Sequence, residues 1–132
     1  MSMEHHIPIG QSVTIAVNAK DFYSSDTVIV SPLEVYEFSC NPEHKWTDWF
    51  IHSNADGFTN ILANIAGLRL RKVKCFTLCG SYNNNEEMLF PIGTYRKVTM
   101  QSSGNVSFFA NDTRRFYGNN KGFVNMLVKR IS

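Results

Sequence analysis

The sequence predicts an all-β domain, an antiparallel sandwich or barrel with one short helix inserted. Three observations predict it. Short runs rich in β-branched and aromatic residues recur along the chain. Clusters of Ser, Asn, Asp, Pro and Gly separate them. A single stretch carries helical rather than alternating spacing.

In chain order, strands are expected at residues 13–17, 27–30, 35–39, 49–52, 76–79, 88–90, 95–100, 105–110 and 123–128. Turn clusters such as Ser24-Ser25-Asp26, Asn41-Pro42 and Asn83-Asn84-Asn85 punctuate them. Many short strands at such spacing are the mark of a sandwich or barrel. The exception is "TNILANIAGLRLRKVK", which places Ile61, Leu62, Ile65 and Leu68 on one helical face. Thr59 or Asn60 is the expected cap, and basic residues close the segment where the helix dipole favours them. The helix is expected near residues 59–72. Residues 1–12 read as an N-terminal extension and residues 13–132 as a single domain, a length that buries a core without obligatory disulfides or metal.

Composition narrows the functional classes. Apolar residues make up 43% and charged residues 18%, an ordinary globular balance. Net charge is only +2, and the basic residues are scattered apart from Arg69, Arg71, Lys72 and Lys74, so no nucleic-acid footprint is expected. No apolar run is long enough to span a membrane. "MSMEHHIPIGQS" carries no secretory signal pattern, which points to a cytoplasmic chain or non-classical export. Three cysteines, Cys40, Cys75 and Cys79, cannot form a full disulfide framework. G-x-S-x-G, Walker, H-E-x-x-H and G-x-G-x-x-G motifs are all absent, and Asp112 with Asp56 is the sole carboxylate pair that a glycosidase reading could use. An enzyme is not expected.

Two stretches carry candidate chemistry. In "KWTDWFIHSNADG", Trp46 and Trp49 are expected in the core, and Asp56-Gly57 reads as a turn. In "ANDTRRFYGNNKG", Asp112, Asn119 and Asn120 offer oxygens of the kind that calcium takes, and the intervening residues offer a carbonyl. With one carboxylate such a site binds weakly and stays open to a ligand with vicinal hydroxyls. The same residues also suit a plain long hairpin, in which Asn and Gly accept left-handed backbone. Two glycosylation sequons occur in the chain, at Asn105 and, within this loop, at Asn111.

The last third, "FFANDTRRFYGNNKGFVNMLV", resembles the C-terminal signature of the PA-I galactophilic lectin family: Asn-Asp, a short loop, then Tyr-x-Asn-Asn. The spacing matches without a gap, and weaker similarity runs back to about Val13. The resemblance implies a jelly-roll sandwich of the galactose-binding-domain type that binds a terminal galactose through Ca2+. It further implies calcium ligation by Asp112, Asn119 and Asn120 side chains and by the carbonyls of Phe116 and Cys40. Asp112, Thr113, Asn119, His52 and Asp56 would meet the sugar. The family's Tyr is replaced by Cys40, and its His-Pro-x-Gln-Gly reads "HSNADG" here, so the match carries calcium more fully than galactose. A homo-oligomer is left open. The alternative is a structural or protein-interaction sandwich that keeps the calcium loop for stability.

Overall fold

The computed structural model describes residues 2–132. Thirteen strands, one α-helix and one 3-10 turn follow in order: β1 (Glu4–His5), β2 (Ser12–Asn18), β3 (Thr27–Val30), β4 (Val35–Cys40), β5 (Trp46–Asp48), β6 (Ile51–Ser53), β7 (Asp56–Phe58), α1 (Ile61–Ala66), β8 (Cys75–Tyr82), β9 (Leu89–Pro91), β10 (Tyr95–Thr99), β11 (Gly104–Ala110), the 3-10 turn (Tyr117–Asn119), β12 (Asn120–Lys121) and β13 (Phe123–Arg130). The all-β sandwich expected from the sequence is the one found.

One sheet runs β1-β3-β11-β8-β7, with β9 also on β8; the other runs β10-β4-β13-β2. The second sheet has one wet face. Val124, Met126 and Val128 of β13 are buried while Phe123, Asn125 and Leu127 are exposed, as period-two alternation requires. Its inner residues, Ile15, Val17, Phe38 and Met126 among them, share one core with Val28, Leu78, Val106 and Phe108 of the first sheet. Across that core the Phe38 and Phe108 rings lie 5.7 Å apart. A small third sheet, β12-β5-β6, closes one end. The first residues are part of the structure: Glu4–His5 pairs in parallel with β3 and Ile7 is buried.

The helix is shorter than its pattern suggested. Asn60 caps it by accepting from the Ala63 N–H, and Gly67 ends it at φ +100°, so residues 67–74 are loop. Ile61, Leu62 and Ile65, which the spacing places on one apolar face, are 70%, 77% and 79% exposed. Of the helix only Ala63 is buried; the loop packs through Leu68 and Arg69 and is held by Asn111.

The Arg69 side chain is fully buried on the outer face of the first sheet. Its guanidinium sits 3.6 Å from the ring centroids of both Phe22 and Phe109. It donates to both Glu86 carboxylate oxygens at 2.9 and 2.7 Å, to the Phe22 carbonyl at 2.8 Å and to the Tyr117 hydroxyl at 2.7 Å. That arrangement explains why Phe109, away from the core cluster, is nonetheless completely buried. Asn111 holds the other end of the loop. Its side-chain oxygen accepts from the Leu70 N–H, and its NH2 donates to the carbonyls of Leu70, Val73 and Lys74.

Against Asn111, β8 carries a bulge. The Phe76 N–H donates to the Asn111 carbonyl and the Asn111 N–H to the Thr77 carbonyl, so two residues oppose one, with Phe76 at φ +66°. Gly57 of β7 makes the adjoining approach: at φ +75°, an added Cβ would lie 2.3 Å from the Cys75 carbonyl oxygen. Gly57→Ala is therefore expected to cost about 2 kcal/mol, combining left-handed strain with a backbone clash. Urea denaturation checks this, and an unchanged midpoint would show that β7 gives way freely.

Candidate metal centre and its rim

At the end closed by the small sheet, four elements bring oxygens together. Asp48 ends β5 and lies opposite Asn120 of β12; Cys75 opens β8; Asp112 follows β11 directly after the bulge partner Asn111. Donor atoms of Asp48, Cys75 and Asp112 all lie within 4.8 Å of one another, and all three residues are buried. Asp112 Oδ1 accepts the Thr113 N–H at 2.7 Å, while its Oδ2 has no partner. Asn120 is wholly buried and donates to the Ala19 carbonyl at 2.9 Å, which leaves its Oδ1 without a donor. The Thr113 hydroxyl is buried and unpartnered as well. Each such atom costs about 1–3 kcal/mol when left unsatisfied, so three oxygens of this kind on one loop signal a missing positive partner.

The electrostatics agree. Burial pushes the Asp112 carboxyl up to about 6, and the Asp48 charge adds to that rise against the pull of the Asn120 amide and the Thr113 N–H. Asp48 is raised too, by burial, with the Cys75 thiol opposing. Burial, then the Asp112 and Asp48 carboxylates, drive the Cys75 thiol strongly upward. It therefore stays protonated and donates to Asp48 Oδ2 at 3.7 Å. The Cys75 sulfur is the one soft donor in a cluster otherwise made of oxygens. Two carboxylates, an amide oxygen and a hydroxyl are instead the donor set of a hard divalent cation, and that group fits the residues present.

Of the residues expected from the sequence, Asp112, Thr113 and Asn120 meet here. Asn119 is exposed on the 3-10 turn, its carbonyl accepting the Trp49 N–H at 3.1 Å. The Phe116 carbonyl accepts the Asn119 N–H at 3.4 Å. Cys40 lies opposite Met126 at the end of β4, its thiol pushed up to about 12 by burial and by the Asp56 charge. His52 is exposed, with Nδ1 2.8 Å from the Thr47 hydroxyl. Both Asp56 oxygens are engaged by Thr94, through its N–H at 2.7 Å and its hydroxyl at 3.0 Å. Asp48 was not among the expected ligands. The signal for it was present, since an acid two residues after Trp46 on a strand shares the face of a buried ring.

Trp46 is buried as expected, with its ring edge-on to Phe76. Trp49 corrects the expectation: it is 63% exposed, because residues 49–50 form the two-residue turn between Asp48 and Ile51 and not a strand. Trp49 adopts φ +56°, a conformation that a bulky residue takes at a cost, and its ring stands 4.6 Å from that of Phe50. Trp49→Gly is thus expected to leave thermal stability unchanged or slightly raised. A clear fall in melting temperature would show instead that the ring packs the hairpin.

Compared with solved structures, the chain superposes on the EclA N-terminal domain, a PllA-like lectin, with a TM-score of 0.65. The fold is that of a PllA-like lectin. The match covers 89% of this chain and 94% of that domain at 16% sequence identity. No family model and no curated protein sequence matches the chain. The PllA-like fold is compatible with so low an identity because a sandwich core asks for apolar volume and alternation more than for particular residues. On this PllA-like scaffold, the Trp49–Phe50 turn follows Asp48 directly, and the Asn60 cap of α1 lies beside Cys75.

Proposed function

We propose that the protein is a calcium-dependent carbohydrate-binding module, non-catalytic, with a terminal galactose or a related sugar as its ligand. The observation that carries the reading is the set of unpartnered buried oxygens, Asp112 Oδ2, Asn120 Oδ1 and Thr113 Oγ1, beside the Asp48 carboxylate. The lectin fold of the neighbouring structure supports the same reading. Asp112, Asp48 and Asn120 are the side chains that would hold the ion. The Asn119 side chain and the carbonyls of Phe116 and Cys40 complete the set that the sequence resemblance implies. A bound calcium ion would supply open coordination positions for two vicinal hydroxyls. Around it, exposed His52 offers a ring nitrogen to a hydroxyl, and the Trp49 ring offers an apolar face to sugar C–H groups.

A glycan array probed in calcium and in EDTA tests the proposal. Binding to terminal galactosides in calcium, abolished by EDTA, is the expected result; glycan binding indifferent to EDTA would overturn it. One observation favours a second reading, a protein-interaction sandwich with a stabilising cation loop: the bare apolar residues Ile61, Leu62 and Ile65 of α1. That reading prevails if calcium stabilises the fold and no glycan binds.

A further inference from the structure

Beside the metal cluster lies a groove of about 620 Å³, within the size range of small-ligand sites, between the end of α1 and the loop after β11. Its lining includes Arg71, Thr113, Arg114, Arg115, Phe116 and Glu86. Glu86 is the one acid on this surface, and its carboxylate is already held by Arg69. The Arg71 and Arg115 side chains are exposed and make no hydrogen bond or ion pair among the described residues. Arg114 reaches Glu86 only at 3.3 Å and stays 65% exposed. The groove is therefore cationic, with guanidinium groups uncommitted. It also joins the metal cluster directly: Thr113, with its unpartnered hydroxyl 8% exposed as a residue, lines the groove and follows Asp112 in the chain. The Arg69 N–H, from the groove's other wall, donates to the Asp112 carbonyl at 3.1 Å.

We infer that this groove is a second subsite, which takes an anionic substituent, a sulfate ester or a carboxylate, on the sugar unit next to the one held at the metal centre. Arginine forks match both anions, and charge-assisted hydrogen bonds of this kind are about twice as strong as neutral ones. Phe116, 43% exposed, gives the adjoining sugar ring an apolar surface. The Thr113 hydroxyl donates to an oxygen at the junction. The specificity of the site is then for acidic oligosaccharides over neutral ones. The inference rests on the carbohydrate-binding reading above.

The test measures affinities for matched galactosyl oligosaccharides that are neutral, sulfated or sialylated, with calcium present, for the intact protein and for an Arg114→Gln/Arg115→Gln variant. Either acidic form should bind about tenfold more tightly than the neutral one, the difference made by one good charge-assisted contact. The double substitution should erase that advantage, leave neutral binding unchanged and flatten the salt dependence of acidic binding. Equal affinity for acidic and neutral sugars would overturn the subsite and leave the lectin reading intact. Failure of every sugar to bind, or capture of any polyanion equally well in EDTA, would overturn both.

Discussion

Arg69→Met unfolds the protein at markedly lower urea concentration, with an expected loss of about 3 kcal/mol. Removing one partner of a buried ion pair costs about 3–5 kcal/mol, and the lower end applies because Glu86 keeps 23% of its side chain in water. Methionine keeps the aliphatic volume between Phe22 and Phe109 but strips partners from the Phe22 carbonyl and the Tyr117 hydroxyl. The Tyr117 hydroxyl still donates to the Ala110 carbonyl at 2.6 Å, so that aromatic remains anchored while the 67–74 loop is released. Arg114→Gln, at a 65% exposed side chain, is the control and should cost less than about 0.5 kcal/mol. A loss below about 1 kcal/mol for Arg69→Met would show that the loop is held chiefly by Asn111 and not by the guanidinium.

Calcium is expected to raise the melting temperature, and Asp112→Asn to abolish the rise. At a hundredfold excess over the dissociation constant a ligand adds about 2.7 kcal/mol, which corresponds to roughly 8–11 °C for a domain of this size. The pH dependence sharpens the test. The folded Asp112 carboxyl is pushed up to about 6, above the ordinary value of about 3.9. Without metal, the folded state therefore binds more protons than the unfolded chain between about pH 4 and 6, and stability falls as pH rises through that window. In EDTA the melting temperature should be higher at pH 5 than at pH 7. In calcium the order reverses, since the ion needs the carboxylate that the proton would occupy. In EDTA, Asp112→Asn should be no less stable than the parent at pH 7, because it removes a buried unpaired charge. Identical melting curves in calcium and EDTA at pH 7 would remove the metal assignment.

The strands were legible because half-buried β-structure writes its alternation into the sequence. Residues 123–130 show this most plainly, and β8 least, since all eight of its residues are buried and no alternation survives. The helix was legible in kind but not in orientation. Its spacing marks an apolar face yet carries no record of whether anything covers it, and here the face is bare. Asp112, Thr113 and Asn120 were readable as a compact motif within one loop. Asp48 was harder to read, because its place in the cluster depends on a pairing with Asn120, 72 positions further along the chain. Arg69 was least legible of all: it stood in a basic stretch that reads as solvated surface, whereas its partners come from four separate parts of the chain.

The Asn111 amide has a consequence for how the protein is made. Asn111-Asp112-Thr113 is an acceptor sequence for oligosaccharide transfer, yet its asparagine is sealed inside the domain with both side-chain atoms committed. Transfer acts on extended chains, so in a eukaryotic secretory pathway the enzyme and the closing of the 67–74 loop compete for the same nitrogen. A molecule modified there loses one of the two N–H donors to the Leu70, Val73 and Lys74 carbonyls and places a glycan where the loop must close, and a molecule that folds first is never modified. Occupancy at this residue would thus act as a clock, recording how fast each nascent chain sealed its loop.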